Sequence, residues 1–226
     1  MHIGHLLGSG RTADVYAFGD SWVLRRYRDG TDATPELAVM SYLSATGYPV
    51  PRIGPLVGPA LPTDLVLQRL TGPTMAEALL GGALTATEGG EMLAGLLHEL
   101  HTIPPRLSQD PADRILHLDL HPENVMLTER GPVVIDWCNA SEGPPGLDRA
   151  MSSLILAQVA LDPSFPEGQF VRELIATMLA RLADDGGIPE GALDRATTLR
   201  AADLQLVGPE KALLDEAAEL VAALAG

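Results

Sequence analysis

The stretch His117-Leu118-Asp119-Leu120-His121-Pro122-Glu123-Asn124, followed by Val133-Val134-Ile135-Asp136, decides how the chain is read. An acid precedes an amide by five residues, and a second acid closes an apolar run twelve residues after the amide. Moving a phosphoryl group requires a held triphosphate, a metal that neutralises its charge, and an acceptor hydroxyl beside a base. Asp119 is expected to accept the hydroxyl proton, while Asn124 and Asp136 supply hard oxygen ligands to magnesium. Residues 124–128 and 132–135 read as two short strands joined by Glu129-Arg130-Gly131, a small hairpin that ends on Asp136.

Outward from this core the pattern is helical on both sides. Upstream, Thr85-x-x-Glu88 forms a possible capping box, and Leu93, Leu96, Leu97 and Leu100 recur at the spacing of one apolar helix face. Pro104 and Pro105 end that helix. Downstream, helices are expected over 147–161, 167–182 and 191–224, the last broken near Gly208-Pro209. The first third differs. Residues 3–7, 14–18 and 22–27 read as strands, with Gly19-Asp20 as a hairpin signal. Thr34 before Pro35 reads as an N-cap of a helix running to about Thr46, and strands are expected at 53–57 and 64–68. The sequence therefore predicts an α+β chain: a five-stranded sheet with one helix over 1–71, and a mainly helical part over 72–226.

At 226 residues the chain is long enough to bury a sizeable core. A formal charge of -15 disfavours nucleic acid as a partner and fits a small cationic molecule. No apolar run has the length of a membrane span and no signal peptide is visible, so a cytoplasmic protein without a membrane partner is expected. Cys138, the only cysteine, is expected to be small and buried. Gly8, Gly10 and Ala13 satisfy the dinucleotide fingerprint G-x-G-x-x-G/A, but that motif opens a helix and this segment runs into a strand. His98-Glu99-Leu100-His101 is one residue short of the zinc-protease pattern, which argues against a zinc site.

The segment from His117 to Asn124, with Ile135-Asp136-Trp137 in place of Asp-Phe-Gly, resembles the catalytic loop of the aminoglycoside phosphotransferase family and its protein-kinase relatives. That resemblance implies a bilobal protein-kinase-like fold and an ATP-dependent phosphotransferase using Mg2+ and a hydroxyl-bearing small-molecule acceptor. It further implies a nucleotide loop at Gly8, Ser9 and Gly10, and an adenine pocket of Val15, Val23, Met126 and Ile135. Backbone groups of Gln68 and Leu70 would meet the adenine edge. Arg25 stands where the family usually has a phosphate-contacting lysine, with Glu36 as its ion-pair partner. By the same resemblance His117 fixes the catalytic loop, and Asp148 braces it. Leu118 departs from the glycine common at its position. Asp162, Asp184, Asp185, Glu190 and Asp203 offer negative charge for an acceptor. The alternative from another class is a nucleotide-binding pseudokinase module. The acceptor, the oligomeric state and the choice of ATP or GTP are not legible in these residues.

Overall fold

Three consecutive strands build an antiparallel sheet: β1 (Ile3–Ser9), β2 (Ala13–Phe18) and β3 (Trp22–Tyr27), followed across a helix by β4 (Asp64–Gln68), in the order β1-β2-β3-β4. The β2–β3 register pairs Val15 with Arg25 and Ala17 with Val23, and β3–β4 pairs Arg25 with Leu65. Because side chains alternate, Val15, Ala17, Val23, Arg25, Tyr27 and Leu65 share one face. The opposite face carries Phe18, Leu24 and Val66, packed with Tyr16 and Trp22. Arg26 and Asp64, a register pair, close the sheet with two hydrogen bonds of 2.7 and 2.8 Å.

The computed structural model describes residues 2–55, 61–203, 206 and 208–225. They divide into two compact units, Met1–Gly72 with Met126–Cys138, and Pro73–Val125 with Asn139–Gly226. In the first unit, α1 (Thr34–Thr46) has Ala33 rather than Thr34 as N-cap. Asp32 takes over the local bonding, its side chain accepting the Thr34 N–H at 2.9 Å. The expected fifth strand reduces to a bridge from Ile53 to Leu67. Pro51 and Pro55 flank that bridge and donate nothing to a ladder, so pairing cannot extend. Leu56 and Val57 of that expected strand lie outside the described residues. A hairpin of β6 (Val125–Thr128) and β7 (Gly131–Val134) completes the unit, tied to it by Val134 N–H donating to the Pro49 carbonyl.

In the second unit, α2 (Met75–Leu80) and α3 (Ala86–Leu100) both begin with full capping boxes, Thr74 with Glu77 and Thr85 with Glu88. Leu93, Leu96, Leu97 and Leu100 are buried along α3, as their spacing requires. A short ladder of β5 (Arg114–Leu116) and β8 (Ser141–Gly143) brackets the catalytic-loop sequence. Then come α4 (Pro145–Leu161), buried nearly all round, and α5 (Gly168–Leu182), α6 (Ala192–Ala202), α7 (Gly208–Ala212) and α8 (Leu214–Ala225). Gly208-Pro209 opens α7 instead of breaking a helix, and α6 has already ended at Asp203. Proline fits the first turn of a helix, where its missing N–H has no partner to lose. The backbones of α3 and α5 approach closely at Gly90, where a Cβ would fall 2.6 Å from the Leu174 carbonyl oxygen. Among the described residues no helix is long and apolar enough to cross a membrane.

Glycine is needed at Gly72 for two reasons: its φ is +126°, and a Cβ would meet the Leu127 carbonyl oxygen at 2.0 Å. Gly8 differs, since its φ is not positive and a Cβ there meets nothing. Gly72→Ala is therefore expected to destabilise by at least about 2 kcal/mol, and Gly8→Ala by less than about 1 kcal/mol. Urea unfolding midpoints of the two variants measure this.

Candidate active site

In the second unit the turn before Asp119 is held by a single carboxylate. Asp148 on α4 is fully buried and accepts the N–H of His117 at 2.9 Å and of Leu118 at 2.7 Å. His101 Nε2 contacts the same carboxylate at 3.1 Å. These bonds hold Leu118 at φ +60°, a conformation that costs a branched residue roughly 1 kcal/mol or more. Burial works against the Asp148 charge, yet the bonds from His101 and from the backbone of His117 hold its carboxyl below the ordinary value. His117, itself fully buried, accepts the Asp119 N–H on Nδ1 at 3.2 Å.

Asn124 sits at the end of a single 3₁₀ turn, Pro122–Asn124, and is buried. Its Nδ2 donates to the Asp119 backbone carbonyl at 2.8 Å and lies 3.4 Å from Asp119 Oδ2. With the amide nitrogen engaged by that carbonyl, the amide oxygen is the acceptor end of the side chain. His121 Nε2 is 3.2 Å from Asn124 Nδ2 and 3.9 Å from Asp119 Oδ1. His117, Asp119 and Asn124 thus form one connected group.

In the first unit the organising group is Glu36 on α1. It accepts Arg25 Nη1 at 2.6 Å, the Tyr27 hydroxyl, and the backbone N–H of Trp137 at 3.1 Å. Arg25 extends its other terminal nitrogen to Asp136 Oδ1, also at 2.6 Å, and packs on the Tyr27 ring with 5.1 Å to the centroid. A lysine ammonium lacks the planar fork that spans two carboxylates in this way. Burial opposes the Arg25 charge, but Glu36 and Asp136 outweigh it and hold the guanidinium above its ordinary value. Asp136 is the second residue with left-handed backbone, at φ +63°. Trp137 anchors it from the C-terminal side: it is buried, bonds the Val134 carbonyl through Nε1, and meets Tyr48 edge-on at 5.7 Å. Cys138, expected to be buried, is exposed as a residue, while burial of its thiol and then the Asp136 carboxylate push that thiol above its ordinary value.

The glycine loop is a hairpin connection between two strands, so the helix required by a dinucleotide fingerprint is absent there. Ser9 Oγ donates to Asp14, and Arg28 ties the loop by donating to Asp14 and to the carbonyls of Gly10 and Arg11. Val15 and Val23 are half-buried on the Arg25 face, and Met126 and Ile135 are half-buried in and beside the β6–β7 hairpin. Gln68 N–H is engaged by the Arg52 carbonyl at 2.8 Å, and Leu70 follows two residues on.

Sequence reasoning missed Tyr27, Arg28, His101 and Arg200. Tyr27 alone had a signal, being two residues from Arg25 on one strand face. Of the acids proposed for an acceptor, Asp162 bonds Ser164 and Asp185 bonds His98, which ties both into local turns and pairs. Asp203 lies 4.0 Å from Arg200, which also approaches Asp119 at 3.8 Å. Among the described residues no cluster of three or more His, Cys, Asp or Glu could hold a metal, and His98 and His101 go to separate acids.

A model of the phosphotransferase enzyme family matches residues 4–114 and 67–184. No curated protein matches the chain in sequence. Among solved structures, a thermostable mutant of aminoglycoside phosphotransferase APH(4)-Ia with AMP-PNP and hygromycin B aligns with a TM-score of 0.64 at 14% identity, over 99% of this chain and 94% of that one. A gentamicin complex of APH(2")-IIa aligns with a TM-score of 0.57 at 14% identity, over 97% and 91%. Amicoumacin kinase hAmiN with AMP-PNP and Ca2+ aligns with a TM-score of 0.55 at 16% identity, over 96% and 87%. At these identities the likeness is one of fold.

The depressed Asp148 carboxyl has a pH signature. A group whose folded value lies below its unfolded value, about 3.9 for Asp, contributes stability above that pH and loses it as pH falls through the folded value. Asp148→Asn is expected to cost about 3 kcal/mol near neutrality, because it breaks a buried charged network. Urea unfolding from pH 7 to pH 3 should show the gap between variant and wild type narrowing below about pH 4.

Proposed function

We propose that this chain, which belongs to the phosphotransferase enzyme family, moves the terminal phosphoryl group of ATP to a hydroxyl of a small molecule. The observation that carries the reading is the pairing of Asn124 with Asp119: the Asn124 amide nitrogen donates to the Asp119 backbone carbonyl at 2.8 Å and lies 3.4 Å from its carboxylate, so a side chain able to ligate a metal through its oxygen stands next to a base. A binding module without chemistry has no use for a base at that point.

In this reading Asn124 and Asp136 hold a magnesium ion. The donor set fits, being one carboxylate and one amide oxygen, both hard ligands. Bound there, the ion would neutralise phosphate charge and orient the triphosphate. Asp119 accepts the acceptor's hydroxyl proton as the oxygen forms its bond to the terminal phosphorus. The bond from phosphorus to the bridging oxygen breaks, and ADP leaves with that electron pair. His117 fixes the Asp119 backbone and Asp148 fixes the turn before it. Gly8 has open space where a Cβ would stand, and one at Gly10 would make only ordinary contact with the Ala13 carbonyl oxygen at 3.6 Å, so the small residues suit close approach by phosphates alongside Ser9. Arg25, locked between Glu36 and Asp136, acts on the phosphates through its charge. Val15, Val23, Met126 and Ile135 are the proposed adenine contacts, with the Gln68 carbonyl and the Leu70 amide at its edge. Residues 1–71 are assigned to nucleotide binding and 72–226 to the catalytic loop and acceptor.

Aminoglycosides and other hydroxyl-bearing metabolites are the proposed acceptor class, in keeping with the ligands of the structural neighbours. One observation favours a second reading, a weak or inactive nucleotide-binding module: Arg25 already neutralises Asp136 at 2.6 Å.

The deciding experiment is ADP release from MgATP across a panel of acceptors, aminoglycosides included, with mass analysis of the product. Wild type should add one phosphate to an acceptor. Asp119→Ala should still bind MgATP by thermal shift while losing about 10²–10⁴-fold in rate. Nucleotide binding without turnover in either protein would favour the inactive module.

A further inference from the structure

Arg200 reaches the proposed base from α6, a helix that lies outside the catalytic-loop sequence altogether. Its Nη1 is 3.8 Å from Asp119 Oδ1 and 4.0 Å from Asp203 Oδ2. Both distances exceed hydrogen-bond length, so these contacts act through charge and do not by themselves fix the guanidinium. What fixes it is Gln158. The Arg200 Nε donates to Gln158 Oε1 at 3.0 Å, and Gln158 Nε2 donates to the Glu210 backbone carbonyl at 2.7 Å. Gln158 is buried on α4, the same helix that carries Asp148. The Arg200 side chain is only 12% exposed, unlike the solvated arginine that an exposed helix face ordinarily carries. Holding a long, rotamer-rich side chain in one place has an entropic cost, which a passive surface residue would not bear.

The Asp119 carboxylate is thus approached from two sides. Asn124 Nδ2 stands 3.4 Å from Oδ2, while Arg200 and His121 stand 3.8 and 3.9 Å from Oδ1. Asn124 and His121 belong to the same short loop as Asp119 and move with it. Arg200 is the one contact among these that refers the carboxylate to the helical framework, through Gln158 and the backbone at Glu210. We propose that Arg200, held by Gln158, is a positioning residue that sets the location of the Asp119 carboxylate for the acceptor hydroxyl. The assignment rests on the phosphotransferase reading. It makes α6 and the start of α7 part of the working centre, although no motif in their sequence announces it.

The proposal separates charge from tethering. Arg200→Met removes both, Arg200→Lys keeps the charge without the Nε bond, and Gln158→Leu keeps the arginine but releases it. The readout is ADP release from MgATP, using the best acceptor from a panel of kanamycin, homoserine, choline and glucosamine, or water if none is taken. Arg200→Met should lower kcat about 10²-fold, the scale set by small misplacements of a reacting group. Gln158→Leu should lower it about tenfold, and Arg200→Lys should recover part of what Met loses. KM for MgATP should stay within about twofold throughout, because the nucleotide is bound by other residues.

Unchanged kcat in Arg200→Met, with Asp119→Ala inactive, overturns the assignment alone. A fall in kcat that tracks a lost fraction of MgATP-binding protein, with Lys no better than Met, also overturns it, because α6 then serves only to pack. If Arg200→Met does not fold, Arg200→Lys and Gln158→Leu decide. A wild type that never releases ADP removes the phosphotransferase reading and this assignment with it.

Discussion

A buried carboxylate in each unit holds the backbone at the two non-glycine residues that adopt left-handed conformation among the described residues, Leu118 and Asp136. Asp148 accepts the N–H groups of His117 and of Leu118 itself, and Glu36 accepts the N–H that follows Asp136. Each strained residue therefore adjoins, or is, a proposed catalytic carboxylate. Strain at such points persists only where the surroundings over-determine the backbone. Here they do so with charge-assisted hydrogen bonds, which are about twice as strong as neutral ones.

Arg25 gives the first unit its particular electrostatics. A lysine at that position would present a point charge, whereas the guanidinium fork addresses Glu36 and Asp136 together while its face rests on Tyr27. The cation and two acids become one network with Tyr27 and Trp137, so the position of Asp136 depends on four residues. Such a network is costly to break, and it makes Arg25 a structural partner of Asp136. The overall charge of -15 has little to do with this chemistry. Several acids in the helical unit, Asp162 and Asp185 among them, serve local turns and pairs.

Elements with a strong local cause were legible in the sequence. The Thr85–Glu88 capping box, the leucine spacing of α3 and the hairpin turn at Gly19 all appear where local chemistry demands them. Elements set by tertiary pairing were not. The three-residue strands β5 and β8 have no periodicity to read, and α2 is too short for a pattern. The fifth strand failed because its prolines have no N–H to give, and Thr34 lost the N-cap because Asp32 bonds the helix start first. At the site, the spacing of His117, Asp119 and Asn124 was visible because one short loop carries it. The contribution of Arg200 depends on a buried glutamine and a carbonyl on other helices, and no window of sequence holds all three.

Asn124 and Asp136 are the proposed oxygen ligands of one nucleotide-linked divalent cation. Manganese binding followed by electron paramagnetic resonance, with and without AMP-PNP, tests that most directly. Wild type should bind one Mn2+ tightly only when AMP-PNP is present, and Asp136→Asn and Asn124→Ala should each weaken that binding by about tenfold or more. Nucleotide-dependent manganese binding that is the same in wild type and both variants would contradict it.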